Sequence, residues 1–168
     1  MARKCFYSFH YLKDNWRVSQ IRNIGAVEGN KPAKDNDWET ITKGGDKKIK
    51  EWIDKQMQGR TCTVILAGSS TADRKWINYE IEKSWNDGKG VVVIHIYNLK
   101  DSESKQNSKG SNPLYYVTVN ANGEKKKLST IAKAYDSNKT DSKKVYDYIK
   151  DNIEDWIEEA IKIRKSYK

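Results

Sequence analysis

The sequence predicts an α/β fold, a doubly wound and mainly parallel sheet flanked by helices, flavodoxin-like in its strand order. Three observations carry this. Residues 62–68 and 90–97 are almost continuously apolar over a strand's length, the pattern of parallel strands buried on both faces. A segment of helical periodicity lies between them, and others flank them, so strands alternate with helices. At 168 residues the chain is long enough to bury one such core without metal or disulfide staples. No internal repeat or shift of composition divides it, and residues 1–168 read as a single domain.

The elements follow in order. Residues 4–10, Lys-Cys-Phe-Tyr-Ser-Phe-His, form a first strand with Cys5, Tyr7 and Phe9 on one face and Phe6, Ser8 and His10 on the other. Asp14 is placed to cap a helix through Trp16, Val18, Ile21 and Arg22, with Gly25 as its stop. Residues 26–44, with Gly29, Pro32 and Gly44-Gly45, read as loop with a short edge strand near Ala26 and Val27. A second helix covers 46–58, where Ile49, Trp52, Ile53 and Met57 make an apolar stripe, and Gly59 ends it. The strand 62–68 leads through Ser69-Ser70-Thr71-Ala72-Asp73 into a helix over 76–85, closed by Gly88. After the strand at 90–97 comes a polar loop, 98–113, then a strand at 114–119 and an Asn122-Gly123 hairpin turn. The last helix starts at Asp141 or Ser142 and carries the stripe Val145, Ile149, Ile153, Trp156, Ile157. Lys162, Arg164 and Lys165 complement its carboxyl-terminal dipole.

Composition narrows the partners. The formal charge of +9 favours anionic ligands. The lysines at 47, 48 and 50, at 125–127 and at 143–144 lie in separate segments among acids, so the basic stripe of a nucleic-acid interface is missing. Cys5 and Cys62 sit in apolar runs as small hydrophobes, which fits a reducing cytoplasm. Neither a signal-peptide core nor a membrane-length apolar stretch is expected. Two cysteines and two scattered histidines build no metal site. The glycine-rich dinucleotide and P-loop signatures, the nucleophile elbow and the acidic cluster of a phosphoacceptor domain are all missing.

The segment Trp76-Ile77-Asn78-Tyr79-Glu80 stands out. It puts a carboxylate on the first turns of a helix that leaves the carboxyl end of a central strand, where open α/β sheets bind ligands. Ile77, Glu80, Ile81 and Ser84 share one helical face. Glu80 is therefore either a core-facing functional acid of raised pKa or a surface residue paired with Lys83 or Lys75. Trp76 reads as packing. His10, at the end of the first strand, either lines the switch-point crevice with Ser69 and Ser70 or fills space there. His95 reads as a satisfied core histidine. Ser70 and Thr71 read as helix caps, whose amides also suit phosphate. Asn112, in the turn Lys109-Gly110-Ser111-Asn112-Pro113, either braces that turn or meets a ligand.

These segments, Phe6-Tyr7-Ser8-Phe9-His10-Tyr11, Arg17-Val18, Arg22-Asn23, Gly68-Ser69-Ser70-Thr71, Arg74 through Ile81, Ile94-His95-Ile96 and 109–113, occur in an order that resembles the bacterial TIR-like proteins of the Thoeris antiphage system. The resemblance covers about residues 4–117, and the Trp-x-x-x-Glu pentad is similar to the catalytic segment of TIR-domain NAD hydrolases. It implies a TIR-like flavodoxin fold, NAD as substrate rather than cofactor, and no metal. It implies that Glu80 serves the ribose next to nicotinamide, that Ser8, His10 and Asn112 line the pocket, and that Phe6 and Tyr79 shape its wall. It further implies a cyclic ADP-ribose isomer or related derivative as product, made after a phage-derived trigger and read by a separate effector. Self-association stays open. The polar insert before Asn112 and the long last helix depart from TIR domains. Two other classes fit the same residues: a non-catalytic TIR-like adaptor, and a receptor that binds a nucleotide signal without turning it over.

Overall fold

A computed structural model describes residues 3–29, 41 and 43–168. Its centre is a five-stranded sheet. Strand β1 (Lys4–Phe9) leads into helix α1 (Tyr11–Arg22), and a two-residue strand β2 (Glu28–Gly29) follows. Helix α2 (Gly45–Met57), strand β3 (Cys62–Ala67), helix α3 (Lys75–Asn86) and strand β4 (Gly90–His95) continue the alternation. A 3₁₀ turn (Pro113–Tyr116) then opens a hairpin of β5 (Thr118–Ala121) and β6 (Glu124–Lys127). Strand β7 (Lys133–Tyr135) and the long helix α4 (Ser142–Lys165) close the chain.

The main sheet runs β2-β1-β3-β4-β7 with every neighbour parallel. With the hairpin set aside, that is the doubly wound flavodoxin order, in which the switch point lies between β1 and β3. The register Cys5–Cys62–Gly90 fixes which residues share a face. Cys5, Tyr7, Cys62, Val64, Leu66, Val92, Ile94 and Ile96 point to the side covered by α1 and α4, where Val18, Ile21, Val145, Ile149, Ile153 and Ile157 complete an apolar core. Ile65, Ala67, Val91 and Val93 point the other way, onto Ile77, Ile81 and Trp85 of α3 and onto Leu114. Phe6 packs on that same side with Ile49, Ile53 and Met57 of α2. Among the described residues no helix is long and apolar enough to cross a membrane.

Several expectations need correction. Residues 114–119 do not enter the main sheet: Pro113–Tyr116 is a 3₁₀ turn, and Thr118–Ala121 pairs only with Glu124–Lys127. The Asn122-Gly123 turn is as read, with φ of 53° and 86°, the left-handed pair a tight hairpin requires. The fifth sheet strand is instead Lys133–Tyr135, three mostly exposed residues at an edge, too short and too polar to announce itself. The small edge strand lies at Glu28–Gly29, just past Ala26 and Val27; most of the rest of the expected loop, including Pro32, lies outside the described residues. Helix α1 begins at Tyr11, so Asp14 is not its cap but a buried member of its first turn. Asp141 does cap α4, accepting from the Lys144 N–H at 3.0 Å.

Candidate active site

The site is built at the carboxyl edge of the sheet, on the α3 side. Ser8 faces that side because it alternates with Tyr7 and Phe9. Glu80 reaches the same place from α3, since it lies one turn from Ile77 and Ser84 on the helix's buried face. The Ser8 hydroxyl donates to Glu80 Oε2. Glu80 is 8% exposed and Ser8 1% exposed, so the acid is turned into the protein. Lys75 pairs with Asp46, and Lys83 with Asp87 and Asp54, so neither lysine takes Glu80. Burial pushes the Glu80 carboxyl up to about 8, against the opposing pull of the Ser8 hydrogen bond. Behind it a short polar chain is fully paired. Thr63 and Ser84 hydroxyls meet at 2.6 Å, and the Ser84 hydroxyl donates to the Glu80 carbonyl at 2.6 Å.

His10 follows β1 in extended backbone and heads α1. It is largely buried, and burial lowers its pKa, with the Arg74 and Lys13 cations adding to the effect. The imidazole is thus held neutral with two positive charges beside it. Lys13 Nζ also donates to Ser70 Oγ at 3.0 Å, which ties the loop after β3 to α1. Ser70 and Thr71 are not helix caps: α3 starts at Lys75, behind Arg74. Thr71 is buried and folds back to accept from the Gly68 N–H at 2.8 Å, bracing the turn.

The loop after β4 closes over that turn. A Cβ on Gly110 would lie 2.5 Å from the Gly68 carbonyl oxygen, so only glycine allows the two backbones to meet. Two residues on, Asn112 Oδ1 accepts from the Leu114 N–H at 3.0 Å and caps the 3₁₀ turn. The bracing role is therefore real. Phe6 does not behave as an open pocket wall: it is 1% exposed beneath α2. Tyr79 is only partly buried, and burial together with the hydrogen bond it donates to Asp54 Oδ1 at 2.7 Å raises its pKa to about 12. Helix α2 covers both, which spacing along β1 and α3 could not tell. Trp76 packs edge-on against Tyr79 at 5.7 Å, as its packing reading required.

Sequence reasoning misread two features. Asp14 and Arg17 form a buried ion pair at 3.1 Å, and Arg17 also donates to the carbonyls of Leu99 at 2.8 Å and Lys105 at 2.9 Å. Arg17 thereby fastens the loop that carries Gly110 and Asn112 to α1. The signal was there: Asp14, Arg17, Val18 and Ile21 fall on one helical stripe, and opposite charges on a stripe's core side imply pairing. The second feature is His95. It is 6% exposed, and its Nδ1 is buried without a hydrogen-bond partner, so it is not the satisfied core histidine expected.

A doubly wound α/β sheet with a buried acid set against its switch-point strand is a fold of the class whose ligands bind at that crevice. The family profile described as Thoeris protein ThsB, TIR-like domain, matches residues 6–101, which span β1 through β4. A protein of Bacillus cereus (strain MSX-D12) named "Putative cyclic ADP-D-ribose synthase ThsB1" is 34% identical over 133 residues, which cover 76% of this chain and 69% of that protein. The chain belongs to the Thoeris ThsB TIR-like family.

Proposed function

We propose that this protein cleaves NAD at the bond between nicotinamide and ribose and makes a cyclic ADP-ribose isomer or related derivative. One observation carries the reading: the Glu80 carboxyl, turned inward onto Ser8 at the carboxyl end of β1. The chemistry suits so sparse a site. Nicotinamide in NAD is already cationic. It leaves with the electron pair of the glycosidic bond, becomes neutral and needs no general acid. What needs help is the oxocarbenium-like ribose, and one carboxylate answers that by charge and by gripping hydroxyls.

The raised pKa of Glu80 fits this role. With its pKa pushed up to about 8, the carboxyl holds its proton at neutral pH. A cationic nicotinamide ring beside it favours the ionised form, so substrate binding and loss of that proton are coupled. Lys13 and Arg74 bring positive charge next to His10, on the side where a diphosphate would be drawn. If the adenosine end is then held near C1′, one of its nucleophilic groups, a ring nitrogen or a hydroxyl that gives up its proton, forms the new bond as the nicotinamide bond breaks. Excluding water favours that outcome over hydrolysis.

The setting we carry over from the family is a triggered one. A phage-derived component switches the enzyme on in the cytoplasm, and the ADP-ribose derivative acts on a separate effector in antiviral defence. The decisive experiment is mass spectrometry of small molecules from infected cells carrying wild-type or Glu80→Gln protein. The reading requires nicotinamide release and the cyclic product to fall about 10²–10³-fold in Glu80→Gln. Undiminished product from a folded Glu80→Gln protein overturns it, and bound but unaltered ADP-ribose derivatives would mark a receptor instead.

A further inference from the structure

The chain has two histidines, and the sheet brings both to one row. Phe9 pairs with Leu66 and Ala67 with His95, so the next position after Phe9, His10, falls beside Ala67. His10, Ala67 and His95 therefore cross β1, β3 and β4 at the carboxyl edge. His95 shares its face with Val91 and Val93, the same face that carries Ser8. Two strand spacings separate the histidines, about 10 Å. The residue between them, Ala67, is fully buried in the apolar core. Glu80 stands over the β1 end of this row, on Ser8.

The β4 end is built from a different set of groups. The His95 ring lies edge-on to Tyr97 at 6.3 Å. Tyr97 donates to Asp136 Oδ2 at 2.9 Å, and Lys109 pairs with the same oxygen at 3.2 Å. Tyr97, Asp136 and Lys109 thus satisfy one another, while His95 Nδ1 remains buried and unpaired. Buried polar atoms in folded proteins nearly always have partners. This nitrogen, on the face and at the edge where the site lies, is a hydrogen-bonding group that the protein's own side chains do not satisfy. Burial lowers the His95 pKa, Lys109 lowers it further and Asp136 opposes them, so the ring is neutral at pH 7. A neutral ring beside a lysine matches an uncharged oxygen or nitrogen better than it matches a phosphate.

We propose that His95 is a ligand-contacting residue of this site, whose ring nitrogen takes an uncharged hydrogen-bonding group of the bound nucleotide, a ribose hydroxyl or a base edge. The proposal rests on the NAD reading above and adds the second anchor that reading lacks. Glu80 holds the nucleotide over β1, and His95 holds it over β4. Two anchors about 10 Å apart along the carboxyl edge keep a dinucleotide folded over that edge, the posture that cyclisation demands.

Because His10 and His95 are the only histidines, imidazole nitrogen resonances can be assigned with one variant each. The test uses ¹⁵N-labelled Glu80→Gln protein, which removes turnover, titrated with NAD and separately with ADP and nicotinamide mononucleotide. The expected result is a saturable shift of the His95 nitrogens with NAD and with one half-molecule, which identifies the half that His95 meets. Adding His95→Phe should weaken NAD binding about tenfold, and His95→Gln should restore part of the loss. The titration of the unaltered ring decides the matter even if His95→Phe fails to fold. Saturation by NAD with unmoved His95 resonances overturns the proposal and leaves the NAD reading standing. Failure of the Glu80→Gln protein to bind NAD, both alone and with lysate of phage-infected cells added, overturns both.

Discussion

The two faces of the same sheet differ sharply. Under α1 and α4 the strands present cysteine, tyrosine, valine, leucine and isoleucine, packed on aliphatic stripes. Under α2 and α3 the same strands present Ser8, Thr63 and His95, and the helices add Glu80 and Ser84. The polar groups on this second face are graded along the strands. Toward the amino end Thr63, Ser84 and the Glu80 carbonyl satisfy one another. Toward the carboxyl end the Glu80 carboxyl is desolvated and His95 Nδ1 is unpaired. One face holds the fold together, and the other sets aside part of that stability for a site.

The most severe way to test the contrast is to damage each face equally. Leu66 is fully buried on the apolar side, in the β strand next to the switch point. Leu66→Ala should lose about 2–5 kcal/mol, through lost burial and the cavity left behind. On the other face Ser8→Ala removes one hydroxyl whose partner is already destabilised by burial, and its effect on stability should be within about 1 kcal/mol. Denaturant midpoints measure both. Equal losses would remove the distinction between a structural face and a functional one.

Glu80 offers a test that depends on pH. Its folded pKa of about 8 lies above its ordinary value of 4.5. Below pH 4.5 both folded and unfolded chains hold the proton and Glu80 carries no penalty. Between pH 4.5 and 8 the unfolded chain ionises while the folded one does not, so Glu80 progressively disfavours folding as pH rises. Glu80→Gln should therefore melt higher than wild type at pH 8 and closer to it at pH 5. The gain is bounded by roughly 5 kcal/mol and should appear as several degrees in Tm. A variant whose advantage is the same at both pH values would place the Glu80 carboxyl in water.

The same contrast explains what could be read without coordinates. Strands β3 and β4 announced themselves because burial on both faces makes them continuously apolar. The stripes of α2, α3 and α4 were legible because one side of each must meet the sheet. Lys133–Tyr135 was not, since an edge strand of three residues gains its place from pairing with Val92–Ile94 rather than from its own side chains. At the site, Glu80 and His10 were legible from where the chain must turn at the strand ends. The burial of Phe6 and the partial cover of the Tyr79 ring beneath α2 were not, because they depend on a helix far from the pentad in sequence. Nor was the state of His95: whether a mid-sequence histidine finds a partner is decided by side chains from Tyr97, Lys109 and Asp136, which no local pattern brings together.

The smallest effect tests the link between the two halves of the Ser8–Glu80 pair, and it reads on rate rather than stability. For a substrate that prefers the ionised acid, kcat/KM reports Glu80 in the free enzyme. It should climb about tenfold per pH unit below pH 8 and level off above it. The Ser8 hydroxyl donates to Glu80 and so favours the ionised form, pulling the pKa down against burial. Ser8→Ala removes that pull. The acid limb of the profile should move to higher pH, by about one unit or less, while the plateau at alkaline pH changes only a few-fold. At pH 7 this appears as a loss of up to about tenfold that raising the pH recovers, a pattern that general damage to the fold would not produce. A limb that stays in place would mean that Ser8 orients Glu80 without tuning its charge. A uniform drop at every pH would mean that the hydroxyl touches the substrate itself.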